Sequence, residues 1–146
     1  MIGRAVAGVA ALLLTAPIAA RTEAAAPARP TVAVAKSAYG PVLFDGRGFA
    51  LYAFTRDRAR RTACSGACAK AWPPYIAPGA LRAGRDAQAS LLSTIRRPDG
   101  SKQVTYAGRP LYYYAGDRKP RQILCQNVFE FGGRWLVVRS GGATVG

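Results

Sequence analysis

The pattern of apolar and polar positions divides the chain into three stretches. Residues 5–20, AVAGVAALLLTAPIAA, form an apolar run without a charge behind the positive start Met1-Ile2-Gly3-Arg4. Residues 27–37, PARPTVAVAKS, are rich in Pro and Ala. From residue 39 onward the apolar segments become short and are separated by Gly, Pro and Asp. Val42-Leu43-Phe44 and Leu51-Tyr52-Ala53-Phe54 flank Asp45-Gly46-Arg47-Gly48, and the spacing predicts a hairpin because Gly supplies the positive φ of a tight turn. SLLSTIRR (90–97), KQVTY (102–106) and LYYYA (111–115) predict three more strands around the turns Pro98–Ser101 and Ala107–Pro110. NVFEF (127–131) and RWLVVR (134–139) predict a last hairpin about Gly132-Gly133. Short strands at regular turns indicate an all-β meander or small barrel-like domain. One short helix is expected near 65–72, with Ser65 at its N-cap and Pro73-Pro74 ending it.

The apolar run is short for a spanning helix, and small residues follow it at Ile18-Ala19-Ala20 and Ala24-Ala25-Ala26. This layout predicts a secretory signal peptide over 1–26, a flexible tether over 27–38 and a single β domain over 39–142. The exported product is expected in the periplasm or outside the cell, without a transmembrane segment after cleavage. No Cys occurs before Cys64, so the cysteine of a lipoprotein signal is missing and no lipid anchor is expected.

At an offset of 60, Gly48, Leu51, Tyr52, Phe54 and Asp57 fall on Gly108, Leu111, Tyr112, Tyr114 and Asp117. Bases follow both acids: Arg58, Arg60 and Arg61 in one copy, Arg118, Lys119 and Arg121 in the other. Cysteines come next, Cys64 and Cys68 against Cys125, and then Trp72 against Trp135. The ordered correspondence predicts two duplicated hairpin units, repeat one over 39–75 and repeat two over 90–140, each incomplete alone. Through LYAFTRD (51–57), CSGACAKAWPP (64–74), DGSKQVTYAGRPLYYYAGD (99–117) and FGGRWLVV (131–138), the chain resembles the bacterial secreted and lipoprotein repeat family with a Y-x-[FWY]-x-x-D pattern. That resemblance implies an extracytoplasmic protein of unknown function, often lipid-anchored and in tandem copies. The chain departs from the family in lacking the anchor Cys, and in reading GDRKPRQILCQN where relatives tend to have a Gly-rich, cysteine-free loop.

Composition narrows the chemistry. The chain has no His and only the initiator Met, which excludes Ser-His-Asp and Cys-His catalysis, imidazole metal sites and His/Met haem ligation. It also lacks a G-x-x-x-x-G-K-[ST] loop. No cofactor is expected. Removing residues 1–26 takes Arg4, Arg21 and Glu23 and leaves a balance of +13 from the +14 of the whole chain. Such a charge suits an anionic envelope component or an acidic partner protein, while base-specific nucleic-acid reading has no support.

In a strand, residues two apart share a face, so Tyr52 and Phe54 point together, as do Tyr112 and Tyr114. Asp57 and Asp117 are then expected to tie a phenol or turn amide. The alternatives are a two-Asp cation site or a hydrolase pair. Export favours oxidation of the cysteines, either Cys64 with Cys68 or one of them with Cys125. A Cys64–Cys68 bond needs Cys64 before the first helical turn, because i, i+4 positions inside a helix stand too far apart. Cys125 is then a free thiol, buried and inert, linking two chains, or a redox partner activated by nearby bases. The arginine runs are candidates for anion binding along one rim, with Tyr113 or Tyr39 as stacking faces. Together these readings indicate an exported envelope-associated module, most simply a non-enzymatic binding or structural one.

Overall fold

A computed structural model describes residues 1–3, 8 and 25–146 of the chain. Most of the signal peptide expected over 1–26 lies outside the described residues. The rest is all-β, in three small antiparallel sheets that do not close into a barrel. Strands β1 (Val32–Ser37) and β2 (Gly40–Asp45) form the first sheet. Strands β3 (Tyr52–Phe54), β7 (Val128–Glu130) and β8 (Gly133–Val137) form the second, with β8 central. Strands β4 (Leu92–Arg96), β5 (Lys102–Tyr106) and β6 (Arg109–Pro110) form the third. The helix of the described residues longer than a 3-10 turn is α1 (Ala67–Ala71). None of their helices is long and apolar enough to cross a membrane.

Four expectations need correction. The tether over 27–38 becomes a strand from Val32, because Val32 and Val34 alternate inward and both are buried. The hairpin expected between 42 and 54 forms its turn, with Asp45 N donating to Phe49 O at 2.9 Å, but only one isolated bridge, Phe44 to Ala50, follows. Strand β3 leaves β2 to pair with β8, Phe54 opposite Trp135. LYYYA is likewise no regular strand: Tyr112 bridges Tyr52 on one side and Pro74 on the other. The helix is capped by Gly66 at φ 56° without a side-chain bond, and the Ser65 carbonyl, not its hydroxyl, receives the Cys68 amide.

The two repeats pack about an approximate two-fold axis between Tyr52 and Tyr112. These residues exchange both backbone hydrogen bonds, each at 2.9 Å. Outward from that pair the contacts recur. Leu51 N donates to Leu43 O at 3.2 Å and Leu111 N to Val104 O at 3.0 Å. Leu43 N donates to Val138 O and Val104 N to Tyr75 O, both at 2.8 Å. Alternation along β3 and its counterpart splits the core in two. Tyr52, Phe54 and Tyr112 face one cluster with Trp72 and Trp135, while Leu51, Ala53 and Leu111 face another with Val104, Tyr106 and Val138.

Candidate functional site

The first cluster is a column of four rings. Trp72 and Trp135 stack at 4.1 Å and 5° in the middle, Phe54 stacks on Trp135 at 4.1 Å, and Tyr114 covers Trp72 at 4.8 Å. Tyr52 meets Trp72 edge-on at 5.2 Å and Tyr112 meets Trp135 at 5.1 Å. Each such pair contributes about 0.5–1.5 kcal/mol beyond its buried area. Both indole N–H groups end on one residue: Trp72 Nε1 donates to Glu130 Oε2 at 2.7 Å and Trp135 Nε1 to the Glu130 carbonyl at 3.2 Å.

The tyrosines reach across the axis. Tyr52 donates to Asp117 Oδ2 at 2.6 Å, and Tyr112 donates to Asp57 Oδ2 at 2.8 Å. The other oxygen of each acid accepts a backbone amide from the loop that follows it, Ala63 N at 2.6 Å on Asp57 and Leu124 N at 3.0 Å on Asp117. Each acid thus binds the partner repeat and shapes its own loop. Burial pushes both carboxyls up, Asp57 to about 6 from 3.8, although the amide and phenol donors oppose it. Burial, and then the neighbouring acid, raises the Tyr52 and Tyr112 phenols as well. Both oxygens of each acid are thus engaged by protein donors, one phenol and one backbone amide apiece. Among the described residues no group of three or more His, Cys, Asp or Glu side chains gathers as metal ligands.

Cys64 and Cys68 form the disulfide, Cα atoms 5.3 Å apart, with Cys64 ahead of α1. Cys125 is free and half-buried. Its side chain adjoins Tyr114, and that contact is the first cause holding the Tyr114 phenol above its ordinary value.

The two arginine loops are placed alike but employed differently. Arg60 N donates to Gly108 O at 2.9 Å and Arg121 N to Gly48 O at 2.8 Å, each loop docking on the other repeat's turn. Gly48 is at φ 91°, and a Cβ there would stand 3.1 Å from Pro120, so the turn needs glycine. Arg121 then folds back: its Nη2 donates to Lys36 O at 2.6 Å and its guanidinium lies 4.6 Å over Phe44. Arg58, Arg60 and Arg61 stay exposed and line adjoining cavities with Arg56, Arg96 and Arg97. These cavities include no residue of the Arg118–Arg121 loop.

Neither Tyr39 nor Tyr113 lines those cavities. Tyr113 instead donates to the buried Asp45 at 2.8 Å and lines a separate groove of about 580 Å³ with Pro73, Pro74, Tyr75, Ile76 and Arg47. Sequence reasoning missed Arg96 and Arg97. The signal was present, since Arg97 stands two residues from the inward-facing Ile95 at the end of an amphipathic strand and so shares its buried face.

A family model described as a secreted repeat of unknown function matches residues 33–75 and 93–139, one copy over each half. The chain belongs to that family. The matched copies run from β1 to Tyr75 and from β4 through β8, so each family repeat supplies one side of the Tyr52–Tyr112 seam. No curated protein and no solved structure matches the chain.

Proposed function

We propose that this secreted repeat protein is a non-enzymatic module of the cell envelope, periplasmic or extracellular, that binds an anionic polymer through the arginine loop of its first repeat. The observation that carries the reading is a cluster of uncompensated charge. Arg56, Arg58, Arg60, Arg61 and Arg96 are exposed around neighbouring cavities, and among the described residues the ion pair is Arg47 with Asp45, in a different groove. Guanidinium groups held on a loop that is pinned by the disulfide, by Asp57 and by Gly108 lose little freedom on meeting phosphate or carboxylate groups. Asp57 and Asp117 are left out because their oxygens hold the two repeats together. Cys125 is left out because it is half-buried beside Tyr114.

Retention on an immobilised polyuronate column tests the reading. Wild type is expected to elute at progressively lower retention as salt rises, because screening weakens contacts between exposed charges. The Arg58→Ala/Arg61→Ala variant is expected to elute at markedly lower salt. Elution of that variant with wild type overturns the proposal.

A further inference from the structure

The arginine loop and the β4–β5 hairpin together border an open pocket of about 340 Å³, lined by Arg60, Arg61, Thr62, Ile95, Arg96 and Arg97. Three of its four arginines are exposed, but Arg97 is only 7% exposed. The Arg97 guanidinium donates to Gln103 Oε1 at 2.7 Å, to the Cys64 carbonyl at 2.8 Å and to Thr62 Oγ1 at 3.4 Å. All three acceptors are neutral. They fix the direction of the guanidinium, and its charge is offset only at longer range by Asp57 and Asp99, neither of them in ion-pair contact with it. The Asp57 carboxylate is joined to it through two hydroxyls, Thr62 Oγ1 and Tyr112 Oη 2.6 Å apart, then Tyr112 donating to Asp57 at 2.8 Å. Arg60, Arg61 and Arg96 bring three further positive charges to the same wall, and among the described residues none has a carboxylate within ion-pair distance.

We infer that this pocket is a binding site for a phosphate monoester. The inference rests on the anion-binding reading above and gives it a ligand class. A carboxylate offers two oxygens and one charge, which a single bidentate arginine satisfies. A phosphate monoester offers three terminal oxygens and nearly two charges, matching a buried guanidinium with exposed ones around it. Phosphates borne by a lipid headgroup and by a glycan share this chemistry. The volume admits the phosphate and its immediate substituent, so the site reads a phosphorylated end or branch while the outer arginines follow the polymer.

The test is a titration of the isotope-labelled full chain at constant ionic strength, following the amide resonances of residues 60–62 and 96–97. Inorganic phosphate, glycerol phosphate and a hexose phosphate are each titrated, with glucuronate as the carboxylate control. Saturable shifts with the phosphates, at least tenfold weaker with glucuronate, are expected. Tighter binding of glycerol phosphate identifies a lipid headgroup as the source, and tighter binding of the hexose phosphate a glycan. Arg96→Ala and Arg60→Ala, both at exposed positions, are expected to weaken phosphate at least tenfold, and Lys119→Ala, exposed on the second loop, to leave it unchanged. Arg97→Gln is expected to abolish binding; should it fail to fold, the two exposed-site variants decide. Equal binding of glucuronate and phosphate, or Arg96→Ala and Arg60→Ala binding like wild type, overturns the site. Column retention that still depends on Arg58 and Arg61, without saturable phosphate shifts, removes the phosphate site and leaves the anion-binding module standing. Loss of both effects removes the two together.

Discussion

After Asp57 the chain runs through Arg58, Arg60 and Arg61 into the Cys64–Cys68 disulfide; after Asp117 it runs through Arg118, Lys119 and Arg121 to the unpaired Cys125. Before those acids the two repeats are near copies in space. Their tyrosines exchange backbone bonds, their phenols cross to each other's acids, and their tryptophans stack face to face. The difference follows from what each contact requires. At the seam the phenol–acid bonds and the tryptophan stack cross from one repeat to the other, so a change on one side orphans a partner across the axis. The loops touch the opposite repeat through backbone, Arg60 N to Gly108 O and Arg121 N to Gly48 O, a bond that makes no demand on side chains. One loop presents its guanidiniums outward and carries a disulfide, while the other lays the exposed Arg121 back over Phe44 as a clasp.

The strongest way to break this comparison is at the seam. Trp72 touches Tyr52, Tyr114 and Trp135; Trp135 touches Phe54, Tyr112 and Trp72. If the repeats are equivalent here, Trp72→Ala and Trp135→Ala each cost about 3–5 kcal/mol, and by similar amounts. Urea unfolding midpoints of the two variants measure it. A mild effect at Trp72 beside a severe one at Trp135 would mean that the second repeat folds without the first.

Much of this seam was legible in the chain and its geometry was not. The offset of 60 between Tyr52 and Tyr112 is a local pattern, and so is the Asp that follows each. That the phenol of one copy reaches the acid of the other depends on a pairing between residues 65 positions apart, which periodicity does not encode. The same limit produced the misplaced hairpin: Asp45-Gly46 does turn the chain, but β3 gains a better partner in β8, where Phe54 lands on Trp135. Strand β1 was hidden for the opposite reason. Its alternating Val-Ala-Val-Ala is a weak apolar signal between Pro30 and Lys36, and pairing with β2 on one side and with residues 82–85 on the other covers it. At the candidate site, Arg58, Arg60 and Arg61 stood out as a charge run, whereas Arg97 needed the strand's face before its burial could be seen.

The two latches can be separated by pH. Asp57 in the folded chain holds its proton up to about 6, against 3.8 without the burial. The protonated form is therefore the one the fold favours. Stability from this group is fully present below about 3.8 and is lost as pH rises through about 6. The loss is on the order of 1–2 kcal/mol, discounted for the solvent that reaches a half-buried carboxyl. Asp117 shifts in the same direction, and the exposed Asp99 in the opposite one. Subtracting the stability profile of Asp57→Asn from that of wild type cancels both. The difference is expected to fall between pH 4 and 6 and stay flat above. A difference that rises over that interval would mean that the ionised carboxylate, through Tyr112 and Ala63, outweighs burial.

The finest distinction is between the loops. Arg121 combines a charged hydrogen bond to Lys36 O with a guanidinium over Phe44, so Arg121→Ala is expected to cost about 1 kcal/mol. Arg58 makes no comparable contact and sits among Arg56, Arg60 and Arg61. Removing it relieves like-charge repulsion, and Arg58→Ala is expected to change stability by less than about 0.5 kcal/mol while lowering polyanion retention. Arg121→Lys keeps the charge but loses the planar face, so it should fall between Arg121→Ala and wild type in a thermal unfolding series. If Arg58→Ala destabilises as much as Arg121→Ala, the first loop is also a clasp. Its arginines would then be committed to the fold, and the exposed charge would lose its claim to a ligand.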